Sequence, residues 1–117
     1  MSLCSSVYID KSAFKALTRA QKAALLPVGV VDVKGTFSRD EAVTITVVHR
    51  DENRVIMGTT DVGLALVNYS SAEIARIRGQ SSWDIEKILG YADGEYVAHR
   101  DNMVFYPKVT AALTKDS

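Results

Sequence analysis

Cysteine, histidine and net charge are all scarce in this chain, and each shortage closes off a class of function. The single cysteine, Cys4, has no partner for an internal disulfide. The two histidines, His49 and His99, end strand-like runs far from each other and from Cys4, whereas a metal site needs ligands at tighter spacing. No histidine, carboxylate and nucleophile fall into a recognisable catalytic set. Fourteen basic residues balance fourteen acidic ones. The chain as a whole therefore has no electrostatic claim on nucleic acid or on a membrane surface, and any basic surface must be local. No apolar run approaches the ~20 residues of a membrane helix. Met1 to Ser6 lacks a charged segment leading into an apolar one, so it is expected to be a flexible leader rather than a secretory signal. These features together suit the cytoplasm.

What is present is an ordinary share of hydrophobic residues, 47% of 117, enough for one compact domain with a core and not for two. The domain is expected over 7–108, between the leader 1–6 and a frayed tail 109–117. Val7-Tyr8-Ile9 is a short strand candidate. From Lys11 to Ala20 the pattern is helical, with Ala13, Phe14, Ala16, Leu17 and Ala20 on one half of the helix at about 100° per residue. Pro27 closes that region.

Strand periodicity follows. Val28 to Val33 leads to a turn at Lys34-Gly35, and Ser38-Arg39-Asp40 marks another. Val43, Ile45 and Val47 alternate with Thr44, Thr46 and Val48. Asp51-Glu52-Asn53 predicts a hairpin turn into Val55 to Gly58, and Gly63 to Val67 is a further strand, apolar on both faces. Ser70 and Glu73 form an S-x-x-E capping box for a helix over 71–78 that Gly79 ends. A second late helix is predicted from Ser82 to Gly90, on the stripe Ile85, Ile88 and Leu89. Tyr96-Val97-Ala98 and Met103 to Tyr106 read as closing strands around a polar turn at Arg100-Asp101-Asn102. Thr110 to Ser117 has no partner pattern. The fold class is α+β, mainly β: a small, partly open barrel of short mixed strands with one early helix and two short late ones.

Lys11, Lys15, Arg19 and Lys22 are spaced four, four and three apart and fall within an arc of about 80°, opposite the Phe14/Leu17 face. Four cations on one ridge are a candidate RNA-binding surface acting by counterion release. The plainer alternative is the solvated face of an amphipathic helix, since no aromatic residue is interleaved to stack a base. His99-Arg100-Asp101 is not a kinase catalytic loop, because Tyr106 stands where that loop needs an asparagine. Asn68-Tyr69-Ser70 matches a glycosylation pattern by accident, its serine being needed by the helix cap. Trp83, the only tryptophan, is expected in a core or capping contact. Gly29 and Gly63 are expected where backbones approach closely.

Three phrases carry a family resemblance: Ala24-Leu25-Leu26-Pro27-Val28-Gly29-Val30, Gly63 to Ser71 with Ile88-Leu89-Gly90-Tyr91, and Val97-Ala98-His99-Arg100-Asp101-Asn102 with Met103-Val104. In order and separation they resemble the C-terminal PUA domain of glutamate 5-kinase (gamma-glutamyl kinase), which opens proline biosynthesis. The likeness covers Val7 to Tyr106. Two departures stand out. Asp40-Glu41 replaces a usual Gly-Asp turn, so a wider turn is expected there, and Leu64 replaces a usual arginine, removing a surface cation. The resemblance implies a PUA pseudo-barrel with RNA binding as its general association. It implies no catalytic residue and no cofactor in this chain, because ATP and magnesium would bind an amino-acid-kinase domain absent from Val7 onward. The implied role is an accessory, regulatory module whose partner is that kinase domain, in the same or a second polypeptide, with self-association left open. An RNA-binding module using Lys11, Lys15, Arg19 and Lys22 is the alternative.

Overall fold

The computed structural model describes residues 5–19, 24–92, 94 and 96–114. Its elements in chain order are β1 (Ser6–Asp10), α1 (Lys11–Arg19), β2 (Val30–Lys34), β3 (Ala42–Arg50), β4 (Ile56–Leu66), α2 (Ser71–Ile77), α3 (Ile85–Leu89), β5 (Met103–Phe105) and α4 (Pro107–Thr114). Single 3-10 turns occupy Pro27–Gly29, Ser82–Asp84 and Arg100–Asn102. The strands form one mixed sheet in the order β2-β1-β3-β4-β5. Strands β1 and β3 run parallel and the other pairings are antiparallel. This is the predicted α+β class, with a fourth α-helix beyond the three expected.

The alternation of Val7 and Ile9 on β1 with Val43, Ile45 and Val47 on β3 puts five branched side chains on one sheet face. Helices α1, α2 and α3 close that face with Phe14, Leu17, Ile74, Ile77 and Ile85, in a single buried cluster that also holds Val62, Tyr69, Val97 and Met103. Phe14 meets Phe105 edge to face at 5.7 Å, tying α1 to β5.

Several expected elements differ in the structure. The strand expected from Val28 begins at Val30, because Pro27 starts a 3-10 turn in which the Gly29 N–H donates to the Leu26 carbonyl at 3.1 Å. The two strands expected at Val55–Gly58 and Gly63–Val67 are one strand, β4. Its register with β3 shifts between Ile45 and Thr46, whose partners are Gly63 and Asp61, so Val62 is an extra, bulged residue turned into the core. Tyr96-Val97-Ala98 is not a strand: Ala98 makes one isolated bridge to Leu25, and the Val97 carbonyl accepts from the Asn68 N–H at 2.8 Å. The backbone there is satisfied by two separate segments instead of one continuous partner.

The chain ends differ as well. Ser6, assigned to the leader, already pairs with Lys34 and Thr44 in the sheet. Residues 107–114, where a tail was expected from Thr110, are helical. Pro107 begins α4 and Val109 packs against the core. Ala111, Ala112 and Leu113 are strong helix formers, which pattern-matching for a partner strand overlooks. The Asp40-Glu41 turn is not wider. Asp40 takes the left-handed φ of +65° that a glycine would take, and the Glu41 N–H reaches the Ser38 carbonyl at 3.4 Å.

Candidate functional site

The basic ridge begins at the join between β1 and α1. Core direction on α1 is set by the buried Phe14 and Leu17. At about 100° per residue Lys11 lies only about 60° from Phe14. Lys11 and Lys15 are accordingly half-buried flanks of the helix, while Ser12 and Ala16 form its exposed crest. Arg19 is placed by its backbone in the last turn of α1. Lys22 lies outside the described residues.

Lys11 belongs to a cleft assembled from segments distant in sequence. Parallel pairing sets Asp10 opposite Val48, so the start of α1 lies beside the end of β3 and the hairpin that follows. The cleft, about 320 Å³, is lined by Asp10, Lys11, Ser12, His49, Arg50 and Arg54, with buried Val48 as its floor. The Arg50 guanidinium stands 4.0 Å from the Asp10 carboxylate. The His49 ring is held by a 2.7 Å hydrogen bond between Nε2 and Thr60 Oγ1. Asp51 stiffens the hairpin: its Oδ1 accepts the N–H groups of Asn53 and Val55, at 2.8 and 2.9 Å. The Arg54 N–H donates to the Asp51 carbonyl at 3.0 Å, and Arg54 itself takes a φ of +65°. The pair Arg50 and Arg54, one on each side of a predicted hairpin turn, was the available signal for this cleft.

At the other end of β3 the outer sheet face is apolar. Leu64 on β4 is paired with Val104 on β5, and Leu66 with Ala42 on β3. With a side-chain period of two, Leu64, Leu66 and Val104 share a face. Val104 is 66% exposed and Leu66 43%. Asp101 and Asn102 rim this patch. Between the two ends the outer face is polar, with Tyr8, Thr44 and Thr59 around Thr46, whose buried hydroxyl donates to Asp61 Oδ1 at 2.9 Å.

Trp83 is not in the core. The residue is 85% exposed, because the 3-10 turn at Ser82–Asp84 turns Ile85 inward in its place. Asn68 is engaged within the fold, its amide donating to the Tyr96 carbonyl at 3.1 Å. His99 serves its own turn, with Nδ1 accepting the Asp101 N–H at 3.2 Å. Among the described residues no group of three or more His, Cys, Asp or Glu side chains could hold a metal ion. No described helix is long and apolar enough to cross a membrane.

Residues 5–89 match the PUA domain family. Over 101 residues the chain is 48% identical to a "Probable glutamate 5-kinase" of Schizosaccharomyces pombe, a match that covers 86% of this chain and 23% of that protein. It is 44% identical over 95 residues to the "Glutamate 5-kinase" of Thermus thermophilus, covering 81% of this chain and 23% of the enzyme. For the enzyme of Azoarcus sp. the identity is 43% over 104 residues, with 89% and 25% covered. The chain thus spans about a quarter of the length of the curated relatives it matches. Among solved structures, a PUA domain from Aeropyrum pernix K1 aligns with a TM-score of 0.46 at 24% identity, covering 83% of this chain and 42% of that one.

Proposed function

The chain belongs to the PUA domain family, and on that premise we propose that it is a non-catalytic accessory module of a glutamate 5-kinase. In this reading it docks on an amino-acid-kinase domain, in the cytoplasm, and influences that domain's assembly and its inhibition by proline. ATP and magnesium would then be bound by the kinase domain alone. The observation that carries the docking is the apolar face of Leu64, Leu66 and Val104. Full burial of a leucine or valine side chain contributes about 1.5–3 kcal/mol, and covering this face, with Leu64 already half-buried, supplies a fraction of that for each residue.

The test is the double variant L66D/V104D in the glutamate 5-kinase that carries this domain. Charges at the docking face are expected to alter oligomeric state or proline inhibition while the melting temperature of the domain stays within a few degrees. Unchanged kinetics, inhibition and oligomeric state, both in this variant and on deleting the domain, would sink the proposal.

A second reading, an RNA-binding module, is favoured by the shared flank of Lys11 and Lys15 on α1. Arg19 and Lys22 are the further phosphate contacts of this reading. It predicts RNA affinity that falls steeply with salt, with about one unit of log–log slope lost for each of these four cations changed to alanine. Binding that is absent at low salt, or untouched by the fourfold change, would dismiss it.

A further inference from the structure

We propose that the cleft between the start of α1 and the β3–β4 hairpin is a binding site for the phosphate group of a small phosphorylated metabolite. Three cations, Lys11, Arg50 and Arg54, line one concavity against a single carboxylate, Asp10, in a chain whose total charge is zero. The excess is local, as it must be for a site rather than for general attraction to polyanions. Arg50 offers a planar fork suited to two phosphate oxygens, and its position is steadied by Asp10 at 4.0 Å. The nine-residue α1 starts at this cleft with no acidic residue in its first turn, and Asp10, directly before it, is the one carboxylate at its positive end.

Arg54 adds an independent observation. It is a long side chain held at a φ of +65°, a conformation that glycine adopts without strain and arginine does not. The hydrogen bonds of Asp51 fix the hairpin backbone around it, and its exposed side chain lines the cleft. The left-handed position is the one a short hairpin loop requires, and the residue that fills it here is a cation lining the cleft.

Size and lining choose between small ligand and nucleic acid. About 320 Å³ is at the lower limit of small-molecule pockets and exceeds what a bare phosphate fills. The one ring that lines the cleft, His49, is held by its hydrogen bond to Thr60, and no Phe, Tyr or Trp lies there to stack a base. The site is independent of the docking face, which lies eight residue steps away along β3, about 26 Å.

The experiment titrates the isotope-labelled 117-residue chain with inorganic phosphate at constant ionic strength, with chloride as the control anion, and follows backbone amide shifts. Saturable shifts at Lys11, Ser12 and Arg54, absent with chloride, are expected. R50A and R54G are each expected to weaken phosphate binding at least about tenfold, since each removes a charged hydrogen-bond donor. K87A, which removes an exposed cation from α3, is expected to leave it unchanged. R54G also separates binding from folding: relief of the left-handed arginine should keep or raise the melting temperature while binding is lost. Shifts that fail to saturate, or that chloride reproduces, would overturn the proposal. So would R50A and R54G variants that bind as the parent does. In a second arm, a ten-nucleotide RNA that binds at the cleft without competition from phosphate would reassign it to nucleic acid.

Discussion

Tyr69 shows how much one side chain holds together. It is fully buried, its hydroxyl donates to the Gly94 carbonyl at 2.7 Å, and its ring lies 6.2 Å from that of Tyr91. Burial, and then the nearby Glu73 carboxylate, push its ionisation above the ordinary value of 10.0, partly opposed by Arg39. Because the folded state holds this proton more tightly than the unfolded one, the stabilisation is complete below the unfolded value near 10. It is lost as pH rises through the higher folded value. Y69F should cost about 1 kcal/mol at neutral pH, where the hydrogen bond is lost. The gap in melting temperature between parent and variant should narrow above pH 10, and a gap constant from pH 7 to 11 would contradict this account. Gly63 is a second such position. A Cβ there would meet the Val104 carbonyl oxygen at 2.1 Å and the Phe105 Cα at 3.0 Å. G63A should therefore push β5 off β4 and cost about 1–3 kcal/mol, as overpacking does. Faster amide exchange at Met103 to Phe105 is the measurement that checks it. Close approach at Gly63 was legible in the sequence as a glycine within an apolar strand; its partner was not, because β5 lies 40 residues downstream.

At the scale of elements, local signals performed best where the physics is local. The capping box forms as the S-x-x-E spacing predicts: Ser70 Oγ accepts the Glu73 N–H at 3.3 Å, and Glu73 Oε1 accepts the Ser70 N–H at 2.9 Å. S70A should lower stability by about 1 kcal/mol, read as a shift in the urea midpoint with an unchanged slope. Gly90, at a φ of +85°, ends α3 as its position after an apolar stripe suggests. Misreadings cluster where an element depends on something distant. Thr59 to Asp61 carries no apolar alternation, yet it is strand because β3 runs long enough to pair with it. Tyr96 to Ala98 has strand composition, yet it lacks a continuous neighbour. Trp83 has the most apolar surface in its segment, yet Ile85 takes the inward position. Composition describes what a side chain prefers, and the partner strand or helix decides whether the preference is met.

For the whole molecule, the consequential decision is the parallel pairing of β1 with β3. It turns two sequence-distant groups, Lys11 and the Arg50/Arg54 pair, into one cleft, while antiparallel β4 and β5 build the apolar face at the far end of β3. Sites so far apart are expected to act independently. L66D/V104D should leave phosphate affinity in the cleft within about twofold of the parent, and R50A should leave docking intact. Titration and sedimentation of the two variants side by side check this, and coupling in either direction would show that the sheet transmits between its ends. The sequence alone determined the α+β class, the helix caps, the close-approach glycine and the family, because each is written in neighbouring residues or in the order of short phrases. Only the tertiary structure decided the length of β4, the helical end at α4, the exposure of Trp83 and the assembly of the cationic cleft. Each of these depends on which strand lies beside which, and strand pairing is set by burial across the whole sheet rather than by any local run of residues.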